Sequence, residues 1–134
     1  MRLIINSNDR ISGNSHNFQV ELKGILPEER NLDYQVFIKQ VIIHSATDMS
    51  DDILYLCSSS IVPYSSEYNT RYNNTLCFVE NVGFGNFSYK NQGNVEDFSI
   101  KGLNPIINFN ISRLTNQPII NDDWTVTIIL NLVK

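Results

Sequence analysis

Apolar residues along this chain come in short, often alternating runs cut by Asn, Gly, Ser, Asp and Pro, the pattern of strands and turns. Nine such runs are present, at 3–6, 17–23, 34–45, 53–58, 75–82, 87–90, 97–103, 108–114 and 124–133. In the second, Phe18, Val20 and Leu22 share one face while Gln19, Glu21 and Lys23 share the other, so one side turns inward and one meets water. The same phase sends Val36, Ile38, Phe98, Ile100, Phe109 and Ile111 inward. In the last run Trp124, Val126, Ile128 and Leu130 lie on one side, and the strand then turns apolar on both, which predicts a position in the middle of a sheet.

Between the runs, Ser12-Gly13-Asn14, Gly83-Phe84-Gly85-Asn86, Asn91-Gln92-Gly93-Asn94, Asn104-Pro105 and Asn116-Gln117-Pro118 carry turn chemistry. Pro27-Glu28-Glu29-Arg30 suits a single helical turn, with proline at its first position. The stretch 61–74, with Tyr64, Tyr68 and Tyr72, lacks a clean strand pattern and reads as an excursion loop. Eight or nine strands with no room for parallel crossovers predict an all-β chain: an antiparallel two-sheet β-sandwich, with the jelly roll as leading architecture. No Cys, Trp, Cys series of immunoglobulin spacing occurs.

The 134 residues are enough for one core, so 1–134 is read as a single domain with 1–14 as a candidate interface segment. A net charge of -4 with basic residues scattered singly argues against nucleic acid as a partner. No apolar stretch approaches the ~20 residues of a membrane-spanning helix, and the N-terminus lacks a signal-peptide core, which predicts a soluble chain made in the cytosol. Cys57 and Cys77 are the only thiols; two buried reduced cysteines is the simpler reading, and a disulfide across neighbouring strands the other. Eighteen asparagines and seventeen isoleucines point to an A/T-rich genome, a clue to origin and not to chemistry.

Catalytic chemistry has little to stand on. The chain has only His16 and His44 and none of the familiar nucleophile, zinc-protease, phosphate-loop or Cys-x-x-Cys signatures, so it is read as a binding or assembling protein, not an enzyme, and no cofactor is assigned. His44 ends a long strand and reads as structural or partly buried; His16, in a Ser/Asn-rich turn, reads as solvated. Asp48, Asp51 and Asp52 offer hard oxygens but lack the glycine and final glutamate of an EF-hand loop, which favours a solvated, capping or turn role. Tyr64, Tyr68 and Tyr72 suit a subunit or sugar contact, with ordinary loop packing equally open. Matches to the glycosylation pattern at Asn73, Asn86 and Asn110 are expected by chance at this asparagine content.

The opening Leu-Ile-Ile-Asn-Ser-Asn-Asp-Arg-Ile-Ser-Gly-Asn-Ser-His-Asn-Phe-Gln-Val-Glu-Leu, residues 3–22, resembles the start of minor capsid and penton-like proteins of virophages, polinton-like viruses and large eukaryotic DNA viruses. Residues 34–43 and 122–130 are similar to them in position and character, so the likeness spans the chain in outline and is most specific over its first 20 or so residues. The resemblance implies a single jelly roll serving as a virion building block, pentameric at a vertex, made in the host cytoplasm or viral factory. Its implied partners are copies of itself and a major capsid protein. Ser7, Asp9, Arg10, Ser12 and Asn17 would then be interface or turn-fixing groups. A carbohydrate-binding β-sandwich or receptor-binding domain is the alternative, with a glycan as ligand.

Overall fold

The computed structural model describes residues 2–22, 33–63, 75–93, 98–101, 106–120 and 123–133. The helical turn expected at 27–30 and the tyrosines at 64, 68 and 72 lie outside the described residues. All nine runs read from the sequence are strands: β1 (Arg2–Asn6), β3 (Asn17–Glu21), β4 (Asp33–His44), β5 (Ile53–Cys57), β7 (Thr75–Gly83), β8 (Asn86–Lys90), β9 (Phe98–Lys101), β10 (Ile106–Arg113) and β11 (Thr125–Val133). Two further strands, β2 (Ser12–Gly13) and β6 (Val62–Pro63), are two residues long, too short for alternation to reveal them. Among the described residues the one helical piece is a 3-10 turn at Ser7–Asp9.

Every pairing is antiparallel, and the ladder runs unbroken through β1, β11, β4, β8, β7, β5, β10, β3 and β2, with β9 added to β4 and β6 to β9. Strand β11 lies between β1 and β4, as its two-sided apolar end predicted. Hydrogen bonding thus draws one continuous sheet, with no break dividing it into two. That sheet curls on itself, because residues next to its opposite ends touch: the Trp124 N–H donates to Ser15 Oγ at 3.2 Å, and the His16 and Trp124 rings lie 5.5 Å apart. Side chains from nearly every strand meet inside in one cluster, including Phe18, Val20, Leu22, Val36, Ile38, Phe109, Ile111, Trp124, Val126 and Ile128. Of the positions expected inward, Phe98 packs only partly against this core, and the Ile100 side chain lies outside the description.

Strand β4 shows how the register serves the core. Val36 and Ile38 face inward, as do Val41 and Ile43, which strict alternation would forbid. The β11 register slips between Ile129 and Leu130, opposite Gln40 and Ile38, leaving Lys39 as the extra residue of a bulge. The phase change keeps both halves of the strand apolar toward the core. Asn91 fixes the bulge from outside, its N–H donating to Lys39 O at 2.9 Å and its Nδ2 to Ile38 O at 3.3 Å.

Residues 2–13, nearly all of the candidate interface segment 1–14, form a strap. Its first half pairs with β11 as β1, and its second half pairs with β3 as β2, so one segment supplies both terminal strands of the curled ladder. Leu3 and Ile5 are buried, and the Ser7 side chain is fully buried. The segment is therefore part of the domain's own fold, and removing residues 1–14 would strip two strands from the sheet.

Candidate functional site

Three features outside the core carry distinctive chemistry. The first is the strap. Asn6 Oδ1 accepts the Asn8 N–H at 2.8 Å and starts the 3-10 turn, while its Nδ2 reaches Thr127 Oγ1 at 3.2 Å. Arg10 closes the turn by donating from its guanidinium to Ser7 O at 2.9 Å. Ser12 Oγ donates to Gln19 Oε1, and Asn14 Oδ1 accepts both the His16 and Asn17 N–H groups. Of the residues singled out here from the sequence, Ser7 is internal and fixes the turn, Arg10 is half-buried, and Asp9, Ser12 and Asn17 are exposed. The outer side of the strap also displays Ile4 and Ile11 to solvent.

His16 corrects the sequence reading: it is buried against Trp124, not solvated, and its carbonyl accepts the Ile111 N–H at 2.7 Å. His44 is exposed, with Nδ1 3.1 Å from Asn86 Oδ1. Next to His16 lies a pocket of about 310 Å³, lined by Asn14, Asn17, Asn110, Asn116, Gln117 and the Tyr55 ring among others. Amides there supply paired donors and acceptors without net charge, the chemistry that suits hydroxyl-rich ligands. No run of the sequence announced this site, because its members come from the β2–β3 turn, β5, β10 and the segment after β10.

The aspartates of the loop before β5 separate into structural roles. Asp48 Oδ1 accepts the Trp124 indole N–H at 3.0 Å. Asp51 forms a two-pronged ion pair with Arg113, both contacts at 3.0 Å, and its carbonyl accepts Asn81 Nδ2. No group of three or more metal-ligating side chains occurs among the described residues. Cys57 and Cys77 are free thiols, as the simpler reading had it, but only Cys77 is buried and Cys57 is half-buried. Cys57 Sγ lies 3.4 Å from Asn110 O, and burial raises its thiol pKa, only partly offset by hydrogen bonding with Asn110 and Ser112.

The third feature is the β7–β8 hairpin. Along its outer side Phe78 and Val82 are exposed, and at its tip Phe84 is 97% exposed. Tyr55 extends this ridge, its ring 6.3 Å from that of Phe78. The tip is held in place: Gly85 O accepts the Ala46 N–H at 2.8 Å, and a Cβ on Gly85 would come within 2.7 Å of Thr47 N. Phe84 itself adopts φ +56°, a conformation that costs an L-residue about 1–2 kcal/mol. Gly-Phe-Gly-Asn reads in sequence only as a turn; the aromatic at its centre was the overlooked signal.

No helix of the described residues is long and apolar enough to cross a membrane. Compared with known proteins, the chain matches no family model and no curated sequence.

Proposed function

We propose that this chain is a structural virion protein, a single jelly-roll minor capsid subunit that assembles with copies of itself and contacts a major capsid protein, with a pentameric vertex as its arrangement. The observation that carries the reading is the rigidly held apolar ridge of Phe78, Val82 and Phe84. Exposed apolar residues grouped on a fixed hairpin mark a protein contact, since leaving them in water forgoes the gain of burying them. Resemblance of residues 3–22 to capsid proteins supports the same reading, and the outer side of the strap, with Ile4, Asp9, Ile11 and Ser12 exposed, supplies a second surface in the proposal. Native mass measured alone and with a major capsid protein tests it. Oligomers or co-assembly are expected; a chain that stays monomeric at high concentration, binds no capsid protein and is absent from purified particles would defeat it.

The amide-lined pocket favours a second reading, a glycan-binding module. Asn17, Asn116 and Gln117 would take sugar hydroxyls while Tyr55 offers a ring face. A glycan array with the wild type and an Asn116→Ala, Gln117→Ala variant separates the two: selective glycan binding lost in the variant supports this module, and a blank array leaves assembly alone.

A further inference from the structure

Basic residues scattered singly in sequence converge in space. Arg2 on β1, Lys39 on β4 and Lys90 on β8 line one concavity of about 320 Å³ on the outer face, together with Gln40, Asn91 and Asn131. The register explains the convergence. Arg2 pairs with Asn131, which opposes Phe37, and Lys39 Nζ lies over the Phe37 ring at 5.6 Å, bringing its charge back toward Arg2. Lys90 pairs with Gln40 on the other side of the bulge. From β1 to β8 is three strand spacings, about 14 Å, a span that three long side chains close over.

Among the described residues no carboxylate lines this concavity and none of the three cations forms an ion pair, Asp51–Arg113 being the salt bridge formed there. Glu80, the acid on neighbouring β7, stands opposite Ser88 and does not line the concavity. In a chain of net charge -4, three cations gathered with no acid beside them among the described residues create a local positive field against the overall one. The floor is fixed by backbone: Asn91 holds the bulge carbonyls of Ile38 and Lys39, so the side chains that surround the space stand on rigid strands.

We infer that this concavity binds a multiply charged oxyanion, a phosphate or sulfate group, with Arg2, Lys39 and Lys90 as its charge partners and Asn131 as a neutral hydrogen-bonding group. The site lies within one chain and does not depend on assembly. Its test is amide chemical-shift titration of the full chain with inorganic phosphate, inorganic sulfate and a sulfated heparin disaccharide, against sodium chloride at matched ionic strength. Saturable shifts at Lys39, Gln40, Lys90 and Asn91 are expected with at least one of them. Saturation by the inorganic ions identifies the free anion as sufficient; saturation by the disaccharide alone identifies an oxyanion carried on a sugar. Lys39→Met with Lys90→Met keeps the apolar stems and should weaken binding about ten-fold or more. Shifts no larger than those in chloride, affinity unchanged in the double variant, or saturation by hexaglutamate with no response to phosphate or sulfate would overturn it.

Discussion

The buried hydroxyl of Ser7 accepts the backbone N–H of Val126 at 3.0 Å, joining residues 119 positions apart where the strap passes from β1 toward β2. An N–H in that place has no water to turn to, so the serine is worth more than its size suggests. Ser7→Ala should lower stability by about 1–3 kcal/mol, the usual cost of orphaning a buried donor. Ser12→Ala, which removes an exposed bond to Gln19, should stay within about 0.5 kcal/mol. Urea midpoints at unchanged m-value check both, and an unaltered midpoint in Ser7→Ala would show that another group serves Val126.

Phe109 is fully buried in β10 with its ring 5.8 Å from that of Phe18 on the paired strand. Phe109→Ala removes that contact and leaves a cavity that strands on either side are too constrained to fill. About 3–5 kcal/mol of destabilisation is expected, read as a lower melting temperature. Unchanged melting would mean that this strand's inward phase is not what holds the sheet closed.

Alternation made the long strands legible because one-sided burial writes a period of two into residues such as Phe18, Val20 and Leu22. It failed where geometry breaks the period or the strand is too short to show one: the bulge at Lys39 and strand β6 follow from pairing partners far along the chain, and β2, paired with nearby β3, is only two residues long. Asparagine abundance, read as a mark of genome composition, also has a structural use. Asn6, Asn14, Asn81 and Asn91 each accept the N–H two residues on, and in the last two cases the donor is Gly83 or Gly93 at positive φ. The oxyanion concavity and the amide pocket were illegible for a common reason. Each is assembled across strands that are neighbours in the sheet and distant in sequence, so single basic or amide residues carried no local sign of their company.

Cys57 gives a pH dependence. Burial raises its thiol pKa above the unfolded value, so the folded chain holds this proton more tightly than the unfolded chain does. The resulting stability is fully present below the unfolded thiol pKa, about 8.5, and is lost as pH rises through the folded value. Melting temperature should therefore fall on moving from neutral into alkaline solution, and Cys57→Ala should flatten that slope. Alkylation by iodoacetamide near neutrality should be slow at Cys57 compared with the unfolded chain. Rapid modification in the folded state would contradict the raised pKa.

Phe84 allows assembly to be tested without damaging the fold. Its side chain touches water almost entirely, so replacing it removes no core packing, and its positive φ is one that asparagine adopts at lower cost than phenylalanine. Phe84→Asn should therefore keep or raise the melting temperature, by up to a few degrees for a gain of about 1 kcal/mol. If the ridge is a subunit contact, the same variant should shift sedimentation from oligomer toward monomer, because an apolar anchor has become polar. Loss of stability and loss of assembly usually travel together and confuse such experiments; here they are expected to move in opposite directions. A variant that melts higher yet sediments as the wild type would remove the hairpin tip from the contact and leave the strap, with Ile4 and Ile11, as the surface to alter next.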